Sequence, residues 1–189
     1  MTFGESIKTC FRKYAVFKGR ACRSEYWWFV LFMVLIEIGI YFIAGLLMIP
    51  LLIKGQFNPA SINSVQLPLA IVTLVVELAL FLPSLSVQVR RFHDVNRTGW
   101  WILILFVMEL IVVVPSCFLL FTMADHSPEF NDKISFVLAF VLCVFAVLIT
   151  ALAIVFLVWC CKRGTIGPNK YGPDPLEEAY VDVTPQAEV

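Results

Sequence analysis

Three glutamates stand where a carboxylate is expensive. Glu37, Glu77 and Glu109 each fall near the centre of a long apolar stretch, and no Lys, Arg or His lies within those stretches to neutralise them. An acidic residue at the middle of a membrane helix costs about 2.5–3.5 kcal/mol on insertion scales. Two uses would justify that cost. The carboxylates can hydrogen-bond between helices and fix their packing, or they can form a proton or cation path. Spacing puts Glu77 on a polar stripe: Gln66, Thr73, Glu77, Ser84, Gln88 and Arg91 are 7, 4, 7, 4 and 3 residues apart. At 100° per residue they share one helix face, spread over about 60°. Ser86 falls off that stripe. Thr98, Glu109 and Ser116 line up in the next stretch, and Cys143 and Thr150 in the last. Together these would set three carboxylates and a hydroxyl at one level of a helical bundle, with Pro83 and Pro115 able to kink their helices beside them.

A second concentration of chemistry runs from Arg90 to Trp101, Arg-Arg-Phe-His-Asp-Val-Asn-Arg-Thr-Gly-Trp-Trp. Arginines at a membrane surface suit phosphate groups, which they grip bidentately, and tryptophans suit the interface. His93 beside Asp94 has the makings of a general base. No Ser, Cys or Lys nucleophile is tied to the pair by spacing, so no catalytic residue is assigned and a non-enzymatic protein is expected. Cys10, Cys22, Cys160, Cys161 and His93 show no metal-ligand spacing. The glycines after residue 163 lack the Gly-Lys-Ser/Thr of a phosphate loop. No metal and no cofactor are expected.

The elements that must carry these groups follow from composition. The chain has 189 residues, of which 60% are hydrophobic and 15% charged; mean hydropathy is +0.88 and net charge zero. A soluble domain is about 45–50% apolar and about 25% charged. The balance excludes a polybasic nucleic-acid binder. Four stretches are long enough to cross a bilayer, at about 27–53, 65–89, 100–122 and 134–161. The expected fold is all-α, an integral membrane four-helix bundle. Outside the spans, twelve Lys and Arg lie in the N-terminal segment, the second connection and the C-terminal segment, against Lys54 and Lys133 in the other two connections. That asymmetry puts both termini and the Arg90–Arg97 turn in the cytoplasm, and the third connection, with Asp125, Glu129 and Asp132, outside.

Residues 1–25 form a basic segment. Within it, residues 2–17 carry Phe3, Ile7, Cys10, Phe11, Tyr14 and Phe17 at helical spacing, with Lys8, Arg12 and Lys13 off that stripe. The pattern predicts an amphipathic interfacial helix whose cations face anionic lipid headgroups; a helix packed under the bundle is the competing reading. Residues 26–163 hold the four spans. Residues 164–189 begin with dense turn formers and end in an acidic dozen expected to be disordered.

Three blocks carry a resemblance. They are Phe11-Arg12-Lys13-Tyr14-Ala15-Val16-Phe17-x-Gly19-Arg20-Ala21-x-Arg23-Ser24-Glu25-Tyr26-Trp27-Trp28, the Arg90–Trp101 block, and Gly167-Pro168-Asn169-Lys170-Tyr171-Gly172-Pro173-Asp174-Pro175. In these the chain resembles the bacterial inner-membrane family catalogued as domain of unknown function 805. The resemblance implies a small multi-pass inner-membrane protein and supplies no catalytic residue. Because all three blocks fall on one side of the expected topology, Arg20, Arg23, Glu25, Arg90, Arg91, His93, Asp94, Arg97 and Asn169 are expected to form one charged cytoplasmic layer, with Glu25 and Asp94 pairing to its arginines. The leading functional expectation is a membrane interaction, regulatory or envelope-supporting protein that uses this layer toward anionic lipid or a membrane-protein partner. The alternative is a small oligomeric channel or proton-coupled transporter using Glu37, Glu77 and Glu109.

Overall fold

The computed structural model describes residues 1–55, 58–124 and 132–177. Asp125 and Glu129 of the acidic connection and the tail expected to be disordered lie outside the described residues. The architecture is all-α: α1 (Phe3–Arg12), α2 (Arg23–Ile53), α3 (Pro59–Asp94), α4 (Trp100–Ala124) and α5 (Asp132–Cys161). Helices α2 to α5 are each long and apolar enough to cross a membrane. Their lipid-compatible surfaces are plain: Ile38, Phe42, Leu78 and Val147 are each more than half exposed. In water such a surface would aggregate; against acyl chains it is the solvated face.

The chain divides into two compact units. The second, Arg97–Arg163, holds the α4/α5 hairpin. Within it Trp159 meets Trp101 edge-on at 5.6 Å, stacks with Phe156 at 5.4 Å and receives the Arg97 guanidinium over its ring at 4.9 Å. The first unit holds α1, α2, α3 and the segment from Gly164 onward.

In the first unit α1 begins with a capping box, in which the Thr2 hydroxyl and the Glu5 carboxylate each accept the other's backbone N–H. That pairing holds the Glu5 carboxyl below its usual range. The helix turns Ser6 and Cys10 inward, both fully buried. The Ser6 hydroxyl donates to the Glu25 carbonyl at 2.6 Å, and Phe11 meets Phe29 and Phe32 edge-on at 6.1 Å. Cys10, Ala21, Phe29 and Val87 form the small core, with Tyr26, Phe32 and Met33 packed against it.

Helix α1 stops at Arg12, earlier than the stripe through Phe17 predicts. Beyond it the chain is held by α3. Ser86, the residue off the polar stripe, donates to the Lys13 carbonyl at 3.1 Å, and the Tyr14 hydroxyl donates to the Ala79 carbonyl at 2.7 Å. The second bond has a specific origin. In a regular helix the Ala79 carbonyl would accept from the N–H four residues on, but that residue is Pro83, which has none. A carbonyl orphaned within a membrane-spanning helix needs another donor, and Tyr14 supplies it.

Tyr14→Phe should therefore destabilise the protein by about 1 kcal/mol, measured by unfolding in detergent micelles. Pro83→Ala restores a backbone donor to Ala79. In that background the Tyr14→Phe cost should fall by at least half; strictly additive effects of the two substitutions would rule this account out.

Candidate functional site: a buried ion network and an open glutamate groove

Helix α2 starts where α3 ends, and the electrostatics of the two ends suit each other. Glu25 lies in the first turn of α2, and Arg91 in the last turn of α3 with Arg90 just before it. A carboxylate is favoured at a helix N-terminus and a cation at a C-terminus. Arg90 Nη1 donates to Glu25 Oε1 across the pair, and both side chains are almost completely buried.

Asp94 is the counter-example. It is the last residue of α3, where the helix dipole disfavours an anion, and two guanidinium groups compensate. Arg91 Nη1 donates to Asp94 Oδ2 one turn away, and Arg20 Nε donates to Asp94 Oδ1 at 2.9 Å. Arg20 reaches further. Its Nη1 donates to the Gly167 carbonyl at 2.7 Å, its Nη2 donates to the Thr165 carbonyl, and Nη2 also lies 3.9 Å from Asp174 Oδ1. Three guanidinium groups thus face three carboxylates, none more than slightly accessible. Charge-assisted bonds of this kind are about twice as strong as neutral ones.

The segment after Gly164 closes the site. The last carbonyls of a helix lack intrahelical donors, and here Thr165 donates to the Asp94 carbonyl through both N and Oγ1 at 2.9 Å. Asn169 Nδ2 donates to the His93 carbonyl at 2.9 Å. Tyr171 stacks on the His93 ring at 3.8 Å, and His93 Nδ1 lies 3.1 Å from the Gly19 carbonyl. Gly164 must be glycine, because a Cβ there would overlap the Asp94 carboxylate. Gly19, at φ +88°, turns the chain so that its carbonyl meets His93.

Of the nine residues expected in the charged layer, Arg20, Glu25, Arg90, Arg91, His93, Asp94 and Asn169 come together in one unit. Arg23 is exposed at the start of α2, and Arg97 belongs to the second unit, over Trp159. The network is therefore an internal one and not an open charged face, because its arginines are spent on its own carboxylates and carbonyls. Asp174, Thr165 and Gly164 were missed as members; the only sequence signal was that Asp174 lies in the third shared block. Arg90 Nε and Nη2 are buried without a hydrogen-bond partner among the described residues. The Cys10 thiol nearby is pushed up to about 11, first by burial and then by the Glu25 carboxylate, which keeps it protonated.

The glutamates sit elsewhere. Glu37 on α2 and Glu77 on α3 line one groove of about 370 Å³ together with Tyr41, Thr73, Phe81 and Ser84. Within the first unit both residues are exposed, because two helices in contact leave one side of their groove open. Glu109 is likewise exposed, on α4 of the second unit. The hydroxyls expected on the polar faces bond within their own helices, Thr73 to the Leu69 carbonyl at 3.0 Å, Ser84 to Phe81 at 2.8 Å, Ser116 to Val112 at 2.7 Å and Thr150 to Ala146 at 2.8 Å.

Removing one partner of a buried ion pair costs about 3–5 kcal/mol, since the other charge stays buried. Asp94→Asn should lower stability by that amount, read from unfolding in micelles, and open the Gly164–Glu177 segment to protease. Unchanged unfolding with unchanged cleavage would show that the network holds nothing.

The comparisons agree with this membrane architecture. The family model described as "Protein of unknown function (DUF805)" matches residues 14–173. The chain is 28% identical over 170 residues to "Inner membrane protein YhaH" of Escherichia coli K12, covering 88% of this chain and 93% of that protein. It is 29% identical over 168 residues to "Inner membrane protein YhaI" of the same strain, covering 87% and 89%. No solved structure matches. The matched region holds Arg20, Glu25, Arg90, Arg91 and Asp94 of the ion network and stops one residue before Asp174, and the chain belongs to the DUF805 family of multi-pass membrane proteins.

Proposed function

We propose that this is a non-enzymatic inner-membrane protein that engages anionic lipid headgroups at its cytoplasmic side, in an interaction, regulatory or envelope-supporting role. The observation that carries the reading is the division of the basic residues. The buried arginines neutralise internal carboxylates, whereas Lys8, Arg12, Lys18 and Arg23 are exposed, interleaved with exposed Phe11, Val16 and Phe17. The ion network fixes the segment that bears these cations, and each Lys or Arg near an anionic surface contributes about 1 kcal/mol. The Lys/Arg asymmetry supports N and C termini in the cytoplasm. The surroundings of His93, a stacked tyrosine and a backbone carbonyl, suit a structural side chain better than a general base.

In nanodiscs the unfolding midpoint should rise when phosphatidylglycerol replaces part of the phosphatidylcholine, and high salt should reduce the gain. Replacing Lys8, Arg12, Lys18 and Arg23 by Gln should remove at least half of it. An equal midpoint in both lipids, with folded protein, would refute the reading.

A second reading, a small channel or proton-coupled transporter working as an oligomer, is favoured by the groove that Glu37 and Glu77 share. It requires proton or monovalent-cation flux into liposomes that Glu77→Gln abolishes. Flux indistinguishable from empty liposomes would end it.

A further inference from the structure

The groove between α2 and α3 is chemically one-sided. Its charged groups are the Glu37 and Glu77 carboxylates, which among the described residues have no ion-pair or hydrogen-bond partner. The two aliphatic hydroxyls that line it have their protons committed to the Leu69 and Phe81 carbonyls, so Thr73 and Ser84 offer oxygen lone pairs. Tyr41 and Phe81 add aromatic rings, and the rest of the wall is aliphatic. Negative charge, acceptors and ring faces all attract a cation, and among the lining residues the Tyr41 hydroxyl alone could donate to an anion.

The size and the walls narrow the class further. A volume of about 370 Å³ lies in the range of small-molecule sites, about 300–1,000 Å³, and far exceeds a bare metal ion's needs. A hydrated metal ion gains nothing from aliphatic walls. An organic cation does: its charge meets the carboxylates while its carbon groups lie against apolar side chains.

We infer that the α2/α3 groove is a binding site for a lipophilic organic monocation, an onium or protonated amine with apolar substituents, held between Glu37 and Glu77. The inference shares its groove with the transport reading but needs no transport. Absent flux leaves binding intact, and absent binding leaves proton flux open.

The test is equilibrium dialysis of radiolabelled tetraphenylphosphonium against the purified full chain in detergent. One saturable site per chain is expected. Glu37→Gln and Glu77→Gln, which keep side-chain volume and remove charge, should each weaken binding at least tenfold. Leu80→Trp, which fills the groove and leaves both charges, should abolish it. Triphenylphosphine oxide, bulky and uncharged, should not displace the probe. No saturable binding by folded wild-type protein overturns the proposal, whatever fills the groove instead. Wild-type affinity in folded Gln variants, or in folded Leu80→Trp, overturns it equally, as does displacement by the neutral compound.

Discussion

The Asp94 carboxylate is the point on which the first unit depends. It sits at the unfavourable end of a helix dipole and out of water, so it is tolerable only while Arg20 and Arg91 both reach it. Those two guanidinium groups come from different parts of the chain. Arg91 is fixed by α3 itself, but Arg20 arrives on the segment after α1 and also holds the Thr165 and Gly167 carbonyls. One buried anion thereby obliges three separate stretches of sequence to meet. A hydrophobic replacement of similar volume would often be as stable. What the ionic version adds is geometry, since guanidinium and carboxylate must meet at defined angles and apolar side chains need not.

A bilayer removes the usual alternative to such bonding. With no water at depth, each polar group on the helices is resolved by the protein or carries a cost. Thr73, Ser84, Ser116 and Thr150 commit their hydroxyl protons to carbonyls of their own helices, and Tyr14 resolves a carbonyl that Pro83 left open. The same principle sets the glutamates apart. Glu37 and Glu77 lie in an apolar helix pair with nothing of their own unit to answer them, unlike Glu25, whose answer is Arg90.

Much of this was legible in the residues. The four spans follow from apolar length. Glu25 and Asp94 sit among arginines in a small set of dense blocks, so their pairing follows from charge once the helices are antiparallel. The face that carries Thr73, Glu77 and Ser84 follows from spacing at 100° per residue. The illegible parts are non-local. Nothing in residues 13–17 says that the helix ends at Arg12, because the partners of Lys13 and Tyr14 are Ser86 and Ala79, about 65–73 residues away. Dense turn formers mark residues 164–175 as irregular, yet turn chemistry cannot say that this irregular chain caps α3. Glu37 and Glu77 were readable as companions, but whether helices enclose a groove depends on their crossing, which composition does not encode.

The capping of α3 by residues after Gly164 has a consequence for how the protein is made. Domains fold largely as their residues leave the ribosome, yet the contacts that residues 165–174 make with Arg20, Asp94 and His93 become possible only after α4 and α5 are synthesised. The first hairpin must therefore wait in the membrane with Thr165, Asn169 and Asp174 still to come, its α3 carbonyls served by water at the surface. Completion of the second hairpin and locking of the first become coupled events in time. The order of synthesis itself thus sets when the molecule can become rigid.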